Sequence, residues 1–297
     1  MNVQSLSVCV PTKGCVNKCK FCVSRLHEND YPCLRTWGNI EDRDEVVDEY
    51  RNQFYKRLKF SRDNNCNTVM LTGTGEALQN RRFLTFFSNI NKELPSPYLW
   101  VEIQTSGVML TNENLLFLKE KIGVTTISLS LSDIFDNTNN AKICGISPEL
   151  FFEIEDVCKR IKENNFNLRL SLNMTNVYDK DAPAMMLRRA ADLGADQVTF
   201  RKLYSSKTNE HKDIDTWIEE NRMNEDRFEN IGSFIKSQGQ SLEILPFGAV
   251  KYSYNGMGVV LDEDCMSKEV KDTYKYLILR ENCKLYSRWD DHGSLIF

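Results

Sequence analysis

The chain has 297 residues, 41% of them hydrophobic, enough for one large domain or two small ones around an ordinary core. Its net charge of −4 argues against nucleic acid as the main partner, because phosphate contact needs a basic face. With no long apolar run and no signal peptide ahead of its first cysteines it reads as cytoplasmic, and ten cysteines in that setting point to metal binding or catalysis more than to disulfides.

In chain order, a first strand over residues 5–10 feeds directly into Cys15-Val16-Asn17-Lys18-Cys19-Lys20-Phe21-Cys22. Three thiols at C-x3-C-x2-C spacing can face one centre, and thiolates prefer zinc or iron–sulfur clusters. A closed zinc site or a fully ligated four-iron cluster takes four ligands, so three leave one metal position open. The loop runs on past Pro32 and Gly38, and a helix follows from about residue 44, with Val46, Val47, Tyr50, Phe54 and Leu58 at helical spacing.

A second strand, 68–72, ends in Gly73-Thr74-Gly75-Glu76, and the next helix carries Phe83, Phe86, Phe87 and Ile90. The third strand, 99–104, closes on Thr105-Ser106-Gly107. Thr111 then has the character of an N-cap before Leu115, Leu118 and Ile122. After a fourth strand, 124–131, the spacing predicts a long polar loop over 132–146. Ser147-Pro148 is expected to open a helix as cap and first-turn proline, with Phe151, Ile154, Val157, Cys158 and Ile161 on its apolar face. A fifth strand, 167–174, precedes a helix over 182–193 stopped by Gly194. The sixth strand, 197–203, leads through a basic loop, 201–212, to Trp217 and then to a sixth helix with Phe228, Ile231, Phe234 and Ile235.

Six alternating strand–helix units predict an α/β fold with a parallel sheet, curved into a partial (β/α)6 TIM-like barrel over residues 1–240. Residues 241–297 form a C-terminal extension. There, 247–261 reads as strand, turn and strand around Asn255-Gly256, followed by an element with Tyr274, Leu277 and Leu279, then Trp289 and an apolar end at Phe297. This segment is expected to cover an open side of the barrel and help shape the substrate site. Cys265 and Cys283 fall short of the four ligands that a second cluster uses.

Strands buried on both faces should read as apolar runs, yet several alternate. Leu99, Val101 and Ile103 oppose Trp100, Glu102 and Gln104; Ile127, Leu129 and Leu131 oppose Ser128, Ser130 and Ser132; Leu168, Leu170 and Leu172 oppose Arg169, Ser171 and Asn173; Val198 and Phe200 oppose Thr199 and Arg201. The pattern predicts apolar residues under the helices and a polar lumen, with a polar ligand satisfying the inward groups. The alternative is a half-exposed sheet with helices on one face. Cysteine loop, Gly73–Glu76 run and Gln104–Gly107 turn would share the C-terminal rim, where strand–helix barrels bind ligands.

The cysteine triplet with Phe21 resembles the signature of the radical S-adenosylmethionine (radical SAM) enzymes. The resemblance covers roughly residues 5–203. It implies that Cys15, Cys19 and Cys22 hold a [4Fe-4S] cluster whose fourth iron binds S-adenosylmethionine, and that reductive cleavage gives a 5′-deoxyadenosyl radical. Gly73-Thr74-Gly75-Glu76 resembles the element that binds the ligand's amino group. Ser130 and Asn173 match positions contacting ribose or carboxylate, with Ser128 and Ser132 as competing assignments. Gln104, Thr105 and Ser106 are candidates for ligand or substrate contact, and the planar fork of Arg201 suits a carboxylate or phosphate. Cys144, in Ile143-Cys144-Gly145, is a candidate hydrogen-atom donor to a product radical, against the ordinary reading of a small buried hydrophobe.

The resemblance also implies an electron donor such as flavodoxin or ferredoxin. A small polar metabolite or nucleotide is the expected substrate. Peptide modification comes second, because a leader-binding domain is not expected before Cys15. Nucleic-acid modification comes third, resting on Arg201, Lys202, Lys207 and Lys212. The non-enzyme rival is a zinc-stabilised binding module.

Overall fold

A computed structural model describes residues 2–26, 44–205, 212–244, 250–262, 269–270, 272–289 and 291–297. Expectations at Pro32, Gly38, Lys207, Phe247 and Cys265 lie outside the described residues.

Six strands, β1 (Asn2–Val10), β2 (Thr68–Gly73), β3 (Trp100–Thr105), β4 (Thr126–Leu131), β5 (Asn167–Met174) and β6 (Gln197–Lys202), run parallel and in sequence order through one sheet. The crossovers carry α1 (Val23–Leu26), α2 (Asp44–Asp63), α3 (Arg81–Glu93), α4 (Asn112–Phe117), α5 (Asn137–Cys144), α6 (Ile154–Glu163) and α7 (Pro183–Asp192). After β6 come α8 (Lys212–Asn221) and α9 (Glu225–Gln238). This is the expected open α/β partial barrel.

The later strands extend the sheet at both ends. β9 (Met257–Asp262) pairs parallel with β6, and β8 (Val250–Tyr254) and β7 (Gln240–Ile244) follow antiparallel. At the other end β11 (Thr273–Leu279) pairs parallel with β1, flanked by the short β10 (Glu269–Val270) and β12 (Leu285–Tyr286). The β8–β9 hairpin turns at Asn255-Gly256, both at positive φ, as the Asn-Gly signal predicts.

The alternation sorts the faces as expected. Leu168, Leu170, Leu172, Ile127 and Leu129 are fully buried in one apolar core with Phe83, Phe87 and Ile90 of α3. Each such side chain contributes about 1.5–3 kcal/mol on burial. Ser7, Glu102, Ser128, Ser171 and Asn173 point the other way and are also buried, so the sheet is covered on both faces. Leu99 and Trp100 are exceptions: the strand starts only at Trp100, and both side chains are exposed.

Local signals account for several helix ends. Thr111 Oγ1 accepts from the Asn114 amide at 3.2 Å, Pro183 opens α7, and Gly194 follows it at φ +79°. Three readings need correction. The loop 132–146 contains α5, held by an Asp136 cap that accepts from the Asn139 amide and by left-handed Gly145; its asparagines show no apolar period. Ser147-Pro148 opens only a single 3-10 turn, Pro148–Leu150; Phe151 is exposed and the helix begins at Ile154. The basic stretch leads into α8, whose buried stripe is only Ile214 and Ile218.

Candidate functional site

The cysteine loop leaves the C-terminal end of β1 and is held by backbone on two sides. Lys18 and Lys20 donate their amides to the carbonyls of Gly145 and Ile143, at 3.1 Å each. That approach requires glycine at 145: its φ is +59°, and a Cβ there would sit 2.4 Å from the Lys18 carbonyl oxygen. On the other side Ser24 Oγ donates to the Gly73 carbonyl at 3.3 Å, and the Val16 amide to Gln79 Oε1 at 3.2 Å. Gly73 and Gly75 allow this contact, since a Cβ on either would fall within 2.5 Å of Val10 O or Thr12 Oγ1.

Cys15 is exposed, while Cys19 and Cys22 are half-buried. Burial pushes the Cys15 thiol up, opposed by amide hydrogen bonds from Asn17 and Glu76. A hydrogen bond with Cys144, and then burial, pushes Cys19 up. Among the described residues no three Cys, His, Asp or Glu side chains are drawn around one point closely enough to hold an ion. The thiols share one short loop, and each of Cys15 and Cys22 lies near enough to act on Cys19 electrostatically.

Glu76 lies beside this loop, at the end of the Gly73–Glu76 run, and is 4% exposed. Its Oε2 accepts from the Ser106 amide at 2.9 Å and from Ser106 Oγ at 2.8 Å. Its Oε1 is buried without a hydrogen-bond partner among the described residues, as are Thr12 Oγ1 and Asn17 Oδ1 nearby in sequence to the cysteines. A buried carboxylate oxygen left open is costly, and an ammonium group is a fitting partner. Three thiols, amides directed at Cys15 and this open oxygen form a donor set that fits an iron–sulfur cluster with an amino-acid ligand.

Further round the rim, Asn173 Nδ2 donates to Ser130 Oγ at 3.1 Å and to Ser132 Oγ at 3.2 Å. Ser132 Oγ lies 3.4 Å from Cys144 Sγ. Ser132 is wholly buried and Ser128 nearly so, which leaves Ser130 as the half-buried member of the three. Cys144 itself is 3% exposed, at the C-terminal end of α5 and against Cys19.

A cavity of about 510 Å³ fills the lumen, within the usual range for small-molecule sites. Gln104 and Arg201 line it with Thr72, Gly73 and Ser24. One end is closed by Arg169, whose guanidinium meets Glu102 Oε2 at 2.6 Å and Gln197 Oε1 at 2.9 Å. Arg201 Nε stands 3.7 Å from Asp262 Oδ2, and Lys275 Nζ 3.1 Å from Asp262 Oδ1.

Three candidates have other local partners. Phe21 packs on Trp217 of α8, with ring centroids 6.1 Å apart, in a cluster with Leu26, Leu203, Ile214 and Ile218. Thr74 Oγ1 donates to Glu281 Oε1 at 3.2 Å, and Thr105 Oγ1 accepts from the Gly107 amide at 3.1 Å. Asp262, Lys251 and Lys275 line the cavity without having been flagged in the sequence, and Asp262 carries no motif around it; Trp289, named in the C-terminal extension, lines it too. The Glu102–Arg169 pair was foreshadowed only by the alternation.

An open parallel barrel with three thiols on the first rim loop defines a class of cluster-bearing α/β enzymes. The Radical SAM superfamily model matches residues 9–189, so the chain belongs to the radical SAM superfamily. It is an enzyme, and its cofactors are a [4Fe-4S] cluster and S-adenosylmethionine. No curated protein matches the sequence.

Among solved structures, native anSMEcpe with bound AdoMet superposes with a TM-score of 0.57 at 14% identity, covering 96% of this chain and 74% of that one. Native anSMEcpe with bound AdoMet and the Cp18Cys peptide gives 0.54 at 14% identity, covering 80% and 59%. Coproporphyrinogen III oxidase (HemN) from Escherichia coli gives 0.51 at 15% identity, covering 80% and 54%. The chain thus spans under two thirds of two of these, and at such identities the likeness is one of fold. Among the described residues no helix is long and apolar enough to cross a membrane.

Proposed function

We propose that this enzyme takes a hydrogen atom from a small polar metabolite or nucleotide held in the lumen. The cofactors supply the chemistry: reductive cleavage of S-adenosylmethionine to a 5′-deoxyadenosyl radical. Cys15, Cys19 and Cys22 hold the cluster. Glu76, oriented by Ser106, accepts the ammonium group at Oε1, and this open, buried oxygen is the observation that carries the reading. Ser130 and Asn173 offer polar atoms to ribose or carboxylate, Gln104 and Arg201 offer them from the lumen, and Gly73 and Gly75 keep the rim loops close. Phe21 and Thr74 support the rim through their contacts with Trp217 and Glu281. Thr105 shapes the turn that presents Ser106.

A charged cavity of this size favours a small substrate over a peptide. The peptide reading stands second, because anSMEcpe is seen with the Cp18Cys peptide. A flavodoxin- or ferredoxin-type donor and a cytoplasmic setting complete the proposal.

The test is anaerobic reconstitution followed by reduction with S-adenosylmethionine present. About four irons with matching sulfide per chain and formation of 5′-deoxyadenosine are expected. One zinc without sulfide would return the protein to the zinc-stabilised module.

A further inference from the structure

The charges around the lumen are unequal. Among the described residues its lining carries Arg169, Arg201, Lys251 and Lys275 against Glu102, Glu243 and Asp262, four cations to three anions, or +1. The chain as a whole is −4. Arg169 and Glu102 cancel each other at the closed end. The excess therefore lies on the wall built by β6, β7, β8, β9 and β11, where Glu243 of β7 is the cross-strand neighbour of Lys251.

On that wall the Asp262 carboxylate faces two cations. Asp262 gives one oxygen to Arg201 and the other to Lys275, and Arg201 Nε is buried without a hydrogen bond among the described residues. Lys251 lines the same cavity from β8, opposite Val260 of β9, and makes no ion pair among the described residues. Trp289 and Met70 line the cavity too and belong to one apolar cluster with Tyr276. One part of the lining is cationic and another is flat and apolar.

Resting on the proposed function, we infer that this wall is the substrate's anion subsite: Arg201, Lys251 and Lys275 bind an oxyanion, carboxylate or phosphate, and Trp289 with Met70 takes the apolar part. Asp262 holds the cations in place before the substrate arrives and competes with it for them. Confined, partly desolvated cations bind oxyanions more strongly than surface ones, because charge-assisted bonds strengthen as water is excluded.

The experiment uses reconstituted holoenzyme saturated with S-adenosylmethionine. Inorganic phosphate and succinate are titrated separately at fixed ionic strength, by calorimetry for both and by phosphorus NMR for phosphate. Saturable binding of at least one is expected, weakened about tenfold by Lys251→Met and tightened by Asp262→Asn. Iron content and substrate-free S-adenosylmethionine cleavage should not change in Lys251→Met. Phosphate alone would mark a phosphorylated substrate, and succinate alone a carboxylate. Absence of saturation by either up to about 10 mM overturns the inference. So does Lys251→Met binding both as well as the unaltered enzyme, a result that stands even if Asp262→Asn fails to fold. Anion binding without S-adenosylmethionine cleavage would instead remove the radical reading and leave the subsite in place.

Discussion

The two ends of the lumen solve the problem of buried polar groups in opposite ways. At the closed end Glu102, 3% exposed, shares its charge with Arg169, and Arg169 is backed by Gln197. At the rim Thr12 Oγ1, Asn17 Oδ1 and Glu76 Oε1 are buried with no partner among the described residues. An isolated orphan is not a site, as Ser61 Oγ on α2 and Asp181 Oδ2 show. Three around one cysteine loop are different. The closed end is complete as folded, and the rim is complete only with ligands.

The contrast predicts total loss at the rim from the cysteines. Replacing Cys15, Cys19 or Cys22 by Ala should abolish iron–sulfur absorbance and S-adenosylmethionine cleavage, while the unfolding midpoint of the apoprotein barely moves. Retention of a full cluster in any single variant would break the assignment.

The closed end should behave in reverse. Removing one partner of a buried ion pair costs about 3–5 kcal/mol, and less here because Arg169 keeps part of its surface in water; we expect about 2–3 kcal/mol for Glu102→Gln in denaturant unfolding. The double change Glu102→Leu with Arg169→Met should recover most of it. If the double variant is as unstable as the single one, the pair does more than satisfy itself.

Glu76→Gln sharpens the comparison at a single atom. The cluster should assemble, and S-adenosylmethionine binding should weaken by about 1.5–3 kcal/mol. Unchanged affinity would make Glu76 a strut for Ser106. A smaller effect is expected at Trp289, which is half-buried at the cavity edge: Trp289→Ala should slow substrate turnover while cluster content and substrate-free cleavage persist. The smallest concerns Cys144. Its thiol is tied to Ser132 and lies outside the cavity lining, so Cys144→Ala in deuterated water should leave solvent label in the product unchanged. Lost label with continued 5′-deoxyadenosine formation would establish it as the hydrogen donor.

What the sequence disclosed follows the length of each signal. Period-two alternation over β3 to β6 spans enough residues to show which face is polar, and Cys15, Cys19 and Cys22 sit within eight consecutive positions. Thr111, Pro183 and Gly194 mark helix ends by backbone chemistry that needs no partner. The missed features depend on distant partners. Asp262 matters through Arg201 and Lys275, and Phe21 has its neighbour in Trp217, far along the chain. Helix α5 was hidden because a cap and a left-handed glycine define it without an apolar stripe.

The pairing of β1 with β11 bears on the order in which this protein can be made. β1 directly precedes the cysteine loop, and one of its edges is bonded to residues 273–279, which leave the ribosome more than two hundred positions later. Until then that edge is an open template for strand addition. Contacts of such separation in sequence also form slowly. The strand that anchors the cysteine loop is therefore among the last to be fully enclosed, and cluster loading before β11 has docked would act on a half-bound strand. Chains halted ahead of residue 273 should collect as aggregates, even though every cysteine of the triplet has already been translated.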